Sequence, residues 1–213
     1  MPGSSLQRAA SFADPPAAAV NAARAAAFIA ALLPLARLVW LGFTDGLSAN
    51  PIEFVTRSTG TWTLVMLCLT LAVTPLRRLL GWSWLLRLRR MLGLYAFFYG
   101  CLHFTTYIWL DQWFDVPAMA ADIVKRPFIT AGFTAFVLML PLALTSTKAA
   151  MRRLGRRWQR LHRLVYAVAC LGVLHYWWHK AGKNDLAEPL IYAAVVAVLL
   201  GLRWWWRRAR SGA

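Results

Sequence analysis

Four histidines, His103, His162, His175 and His179, are the side chains of this 213-residue sequence best suited to chemistry. All lie in or beside long apolar runs, where an ionisable group is costly and usually marks a functional path. Two neutral imidazoles facing each other across a helical bundle form a natural axial pair for haem iron. His103 falls about twelve residues into its run and His175 about fourteen into its own. The two runs cross in the same direction, so both residues sit roughly 18–21 Å in at helical rise. Each is preceded at i−3 by a glycine, Gly100 and Gly172. Residues three apart share a helix face, so each histidine is expected to have a bare patch where a flat porphyrin can approach. Tyr99 and Tyr107 flank His103 at i±4. A single membrane histidine is more often a polar residue bonding a neighbouring helix. Two at one depth, each with its glycine, point to a ligand pair.

His162 lies thirteen residues before His175, about 20 Å along a helix and off its face. A second cofactor there would need a partner near residues 89–90, where the chain has Arg89 and Arg90. Arginines are poor iron ligands but good partners for a propionate, a phosphate or a flavin. The alternative is an interfacial histidine among arginines. His179, one turn beyond His175 and beside Trp177 and Trp178, reads as a rim residue or an alternative ligand. Arg37 is placed to pair a propionate or to snorkel to the outer interface.

Long hydrophobic elements must carry these residues. The chain is 60% hydrophobic and 15% charged, against about a quarter charged in soluble domains. Runs of about 20 apolar residues match a hydrocarbon layer of roughly 30 Å. Six are expected: 24–43, 60–74 ended by Pro75, 91–110, 128–144 kinked at Pro141, 161–178 and 186–205. No strand alternation and no internal repeat is evident. The fold class is therefore all-α, a polytopic membrane bundle of six transmembrane helices. Residues 1–22 read as a disordered cytoplasmic tail, 23–206 as the helical membrane domain and 207–213 as a second cytoplasmic tail.

Charge gives the topology. Eighteen Lys and Arg fall in the two termini, the 77–90 segment and the 148–163 segment, against five (Arg57, Lys125, Arg126, Lys180 and Lys183) on the other side. Positive-inside bias places both termini in the cytoplasm of a bacterial inner-membrane protein. The net charge of +16 is clustered between apolar runs, as topology signals are, and does not indicate nucleic-acid binding. Cys68, Cys101 and Cys170 are scattered within apolar runs, with no CxxC pair. They read as packing residues.

Several motifs carry a family resemblance. These are Arg89-Arg90-Met91-Leu92-Gly93-Leu94-Tyr95, Cys101-Leu102-His103-Phe104, Lys125-Arg126-Pro127-Phe128-Ile129-Thr130 and Leu154-Gly155-Arg156-Arg157-Trp158-Gln159-Arg160-Leu161-His162-Arg163. From about residue 24 onward the chain resembles the MsrQ (YedZ) family of haem-binding membrane subunits. The resemblance implies a ferric-reductase-like transmembrane fold with one or two b-type haems and an associated FMN. It implies electrons from the quinone pool or a cytosolic flavin reductase, and delivery to a periplasmic molybdopterin-dependent catalytic subunit that repairs methionine sulfoxide. The family's histidines match at His103, His162 and His175. Related ferric reductases carry two histidines on each of two helices, whereas this chain has one on its third helix.

The expected function is thus an electron-transfer subunit, not the catalytic one, with His103 and His175 as axial ligands and His162, Arg89 and Arg90 at an inner site. No GxGxxG fingerprint or nicotinamide domain follows the last helix, so electrons are expected from elsewhere. The rivals are a stand-alone ferric or quinone reductase and a non-redox transporter using the histidines as a proton relay.

Overall fold

The computed structural model describes residues 15–182 and 184–211, and every regular element among them is helical. Six long helices correspond to the six hydrophobic runs. They are α1 (Ala17–Phe43), α2 (Pro51–Leu80), α3 (Leu86–Thr106), α5 (Pro127–Leu144), α8 (Leu164–Ala181) and α9 (Ala187–Ser211). Three short helices join them: α4 (Val116–Lys125), α6 (Lys148–Leu154) and α7 (Arg156–Leu161). These three are too short or too polar to register as hydrophobic runs.

Among the described residues, four helices are long and apolar enough to cross a membrane: α1, α2, α5 and α9. The other two, α3 and α8, carry arginines or histidines that lower their hydropathy. The closest helix pairs are α2 with α3 and α5 with α8; α1 lies against α3, and α9 against α8 and α2. Small residues mediate the approach, with Ala31, Ala96, Ala131, Ala135 and Ala169 all buried. Lipid tails are as apolar as leucine, so close backbone packing, not apolar burial, holds such helices together. The outward faces of α1 and α9 expose Ile29, Leu33, Ile191 and Val198.

Several boundaries differ from those expected. Helix α1 begins at Ala17, so part of the 1–22 tail is helical; residues 1–14 lie outside the described residues. Helix α9 continues through most of the expected 207–213 tail. Pro75 does not end α2, which runs to Leu80 and stops at Gly81 with φ 73°. Proline lacks the N–H that would bond the Leu71 carbonyl. The buried Arg203 of α9 supplies the missing donor, its Nη2 donating to Leu71 O. Its Nη1 donates to Tyr166 Oη at 3.1 Å, and the guanidinium lies 5.3 Å from the Tyr166 ring centroid. A proline is tolerated in a membrane helix when a neighbour satisfies the freed carbonyl.

Helix α1, which contains Pro34, is tied to α3 by side-chain bonds of a different kind, since their acceptors are not the Ala30 carbonyl that the proline leaves without its donor. Tyr99, fully buried on α3, donates to Ala31 O at 2.7 Å, and Tyr95 donates to Phe28 O at 3.1 Å. These two hydroxyls fix α1 to the helix that bears His103. At its far end α3 widens into a π turn, Tyr107–Asp111, before the chain reverses through Trp113 and Phe114, both at positive φ.

Candidate haem site and inner cavity

His103 on α3 and His175 on α8 face each other, with ring centroids 6.0 Å apart and planes inclined at 72°. Two imidazoles on opposite sides of one metal ion, each nitrogen about 2 Å from it, set their centroids about 6 Å apart. His103 Nδ1–H donates to Thr56 O at 2.9 Å, and His175 Nδ1–H donates to Phe128 O at 2.6 Å. A carbonyl oxygen only accepts, so each bond places the proton on Nδ1. Nε2 of both rings then carries the lone pair. A metal-binding histidine is ordinarily held this way, its second nitrogen donating to a carbonyl or carboxylate.

The two halves of the site follow one plan. Both bonds span 47 residues. An offset of 72 residues relates Thr56 to Phe128, Gly60 to Gly132, Gly100 to Gly172 and His103 to His175. The α2–α3 and α5–α8 pairs therefore carry the two histidines on one spacing, a correspondence that the sequence reading, which found no internal repeat, did not expect. The signal was faint because few positions other than these keep the same residue type.

Gly100 and Gly172 do not open beside the rings as expected. A Cβ on Gly100 would lie 3.7 Å from Thr63 and Phe136 and 3.8 Å from Met139; one on Gly172 would lie 3.7 Å from Leu64. Both glycines serve contacts between helices one turn inward of the histidines. The glycines against the rings are Gly60 and Gly132, on the facing helices. Their shared 72-residue offset was the one available clue in the sequence.

Thr56 Oγ1, Arg57 Nε and Tyr107 Oη are buried without a hydrogen-bond partner. Thr56 holds His103 through its carbonyl, Tyr107 lies one turn beyond that histidine, and Arg57 follows Thr56 with its Nη2 paired to Glu53 at 2.8 Å; all three free atoms are donors suited to a carboxylate. Arg37 is exposed on α1 and does not join the site. His179 lies 5.6 Å from the Phe128 ring, on the rim.

His162 belongs to a different region. It caps α7 ahead of α8 and stacks on Trp158 at 3.9 Å between centroids. Thr145 Oγ1–H donates to Pro141 O at 2.6 Å, so His162 Nε2–H donates to Thr145 Oγ1 at 3.0 Å. Trp158 Nε1–H fixes the same corner through Thr145 O at 2.9 Å. The free nitrogen of His162 is thus Nδ1, the reverse of the other two rings. Burial, and then the charge of Arg89, hold its pKa below the usual histidine value and keep the ring neutral.

His162, Arg89, Arg90, Trp158 and Ser146 line a cavity of about 300 Å³ that reaches Ala96, Met139 and Val168 in the bundle. Gly93 forms part of its wall. The same offset places Arg90 at the position equivalent to His162, so the inner region has one histidine where the outer one has two. The expected association of Arg89, Arg90 and His162 is present as the lining of one cavity. Among the described residues no cluster of three or more His, Cys, Asp or Glu is arranged to hold a metal ion.

Residues 58–173 match the family of ferric reductase-like transmembrane components. A protein of Ralstonia nicotianae described as a protein-methionine-sulfoxide reductase heme-binding subunit, MsrQ, is 67% identical over 93% of each chain. Its counterpart from Herminiimonas arsenicoxydans is 63% identical over 87% of each chain, and that from Xanthomonas campestris 49% identical over 88% of each. No solved structure matches the chain significantly. These matches and the apolar helices make this a membrane protein of all-α fold. Because both the family region and the full-length relatives cover most of it, the chain belongs to the MsrQ family of ferric-reductase-like transmembrane proteins.

Proposed function

We propose that this chain is a b-type haem-binding, electron-transferring membrane subunit of a methionine-sulfoxide reductase system. The observation that carries the reading is the pair His103 and His175, 6.0 Å apart with both Nδ1 protons committed to backbone carbonyls. Held there, b-type haem supplies a one-electron carrier, its iron alternating between ferric and ferrous. The chain's own residues prepare the position. The Thr56 and Phe128 carbonyls hold both rings in one tautomer with Nε2 directed inward. Helices α2, α3, α5 and α8 surround the pair with apolar side chains and exclude water, and neutral imidazoles add no charge to the site. Thr56, Arg57 and Tyr107 offer donors to propionate groups.

The inner cavity suits a second redox group bearing an anion. Arg89 and Arg90 would take a phosphate or carboxylate, and Trp158 and His162 offer a stacked aromatic wall. FMN, a quinone head group or a second haem are the candidates. The engaged Nε2 of His162 favours a hydrogen-bonding role over one like that of His103. The donor is quinone or a cytosolic flavin reductase, and the recipient a periplasmic molybdopterin-dependent catalytic subunit. Six helices, α1, α2, α3, α5, α8 and α9, cross the bacterial inner membrane with both termini in the cytoplasm, in line with the eighteen-to-five division of basic residues. The proton-relay reading has less support, because the Nδ1 protons of His103 and His175 end on backbone carbonyls that cannot pass them on.

The test is electron delivery. The full chain, loaded with haem in lipid nanodiscs, is mixed with a reduced quinol or with a flavin reductase and its nicotinamide. Reduction of the haem, followed by its reoxidation when the catalytic subunit and methionine sulfoxide are added, is expected. A haem that none of these donors reduces would refute the electron-transfer role.

A further inference from the structure

Gly60 and Gly132 stand in the same relation to two different histidines. On α5, Phe128 O accepts the proton of His175 Nδ1, and Gly132 is the residue four positions later. On α2, Thr56 O accepts from His103 Nδ1, and Gly60 is four positions later. In a helix each Cβ tilts toward the N-terminus, so the side chain at i+4 overhangs the carbonyl of residue i. A rigid imidazole ring lying flat against such a carbonyl needs the space that the overhanging side chain would fill, and a glycine at i+4 leaves that space empty.

The distances bear this out. A Cβ on Gly132 would lie 2.7 Å from His175 Nδ1 and 2.9 Å from Cε1. One on Gly60 would lie 3.1 Å from both Nδ1 and Cε1 of His103. The His175 ring cannot retreat without lengthening its 2.6 Å bond to Phe128 O. At Gly60 the contact is tight but needs only a few tenths of an ångström.

We propose that Gly60 and Gly132 are positioning residues for the two histidines. Each glycine exposes a backbone carbonyl that fixes its histidine as the Nδ1–H tautomer and aims Nε2 at the opposite ring. Neither glycine acts on the metal directly. The proposal rests on the haem reading above for its consequence, but the tautomer is a property of the chain itself. It also sets an order: an added methyl is worse at Gly132 than at Gly60, and harmless at Gly201 of α9, where a Cβ meets nothing within 4 Å.

The test uses full-length wild type, Gly132→Ala, Gly60→Ala and Gly201→Ala, each checked for a helical circular dichroism spectrum and a single elution peak. In the haem-free proteins, ¹⁵N spectra of labelled histidine report the tautomers. The Nδ1–H form of His175 is expected to be lost in Gly132→Ala, and that of His103 weakened in Gly60→Ala. Haemin titration then gives affinity, and electron paramagnetic resonance the spin state. Removing the outer partner of a metal-binding histidine typically costs about 10- to 100-fold in affinity. Gly132→Ala should fall in that range with a shift toward high spin, Gly60→Ala should lose less, and Gly201→Ala should match wild type. If Gly132→Ala does not fold, Gly60→Ala decides. Wild-type tautomers, affinity and spin state in the folded variants would overturn the proposal. Wild type that binds no haem would refute the haem reading alone, with the tautomer spectra still deciding the role of the glycines.

Discussion

Replacing Arg203 with methionine tests how α2 survives Pro75. In the native chain Arg203 donates to Leu71 O, which Pro75 leaves without its helical donor, and to Tyr166 Oη at 3.1 Å. A hydrogen bond from a charged donor contributes about 1.5–3 kcal/mol, and a carbonyl left buried and unpaired costs about 1–3 kcal/mol. Against this, Arg203 is itself a buried charge whose Nε finds no partner. Removing such a charge returns part of the loss, since a desolvated ion is costly. The net destabilisation expected for Arg203→Met is about 2 kcal/mol. The sharper expectation concerns Pro75→Ala. An alanine at position 75 has the N–H that Leu71 O lacks, so the carbonyl is satisfied without Arg203. Arg203→Met should then cost less in the Pro75→Ala background, by about 1 kcal/mol or more. The assay is a double-mutant cycle by reversible unfolding in mixed micelles, followed by circular dichroism. Additivity within about 0.5 kcal/mol would show that the arginine and the proline are energetically independent and refute the reasoning.

Other expectations follow from single contacts. Tyr99→Phe removes a buried hydrogen bond to Ala31 O and should destabilise the chain by about 1 kcal/mol in the same unfolding assay, loosening α1 from α3. Wild-type ¹⁵N spectra should show His103 and His175 protonated on Nδ1 and His162 on Nε2; one common tautomer for all three would contradict the site geometry. Thr145→Val removes the hydroxyl that holds the His162 ring and should weaken ligand binding at the inner cavity by about 10-fold, as loss of an orienting partner commonly does, while leaving the visible spectrum of the outer site unchanged.

The pairing of His103 with His175 was legible because depth along a helix can be counted from the sequence. Which side of each histidine is bare was not legible. It depends on the rotation of α3 and α8 relative to α2 and α5, and the glycines that matter sit on those facing helices, 43 residues before their histidines. Pro75 looked like a terminator because proline removes a donor, and only the fold reveals the arginine 128 residues later that replaces it. His162 could be grouped with Arg89 and Arg90 because all three lie at one end of their helices, and they line one cavity. The side chain that reverses its tautomer, Thr145, comes from the end of α5 and gave no signal of its own. Helices α4, α6 and α7 were missed because a connecting segment of ten residues or fewer has no run long enough to span a membrane.

The central claim is that His103 and His175 hold a b-type haem. The most direct measurement is the visible spectrum of the detergent-purified protein, oxidised and dithionite-reduced, for wild type and for His103→Ala, His175→Ala and His162→Ala. The account predicts sharp low-spin bands in reduced wild type, lost or shifted in the first two variants and retained in His162→Ala. A well-folded wild type that takes up no haem from added haemin, or low-spin bands unchanged in His103→Ala and His175→Ala, would contradict it.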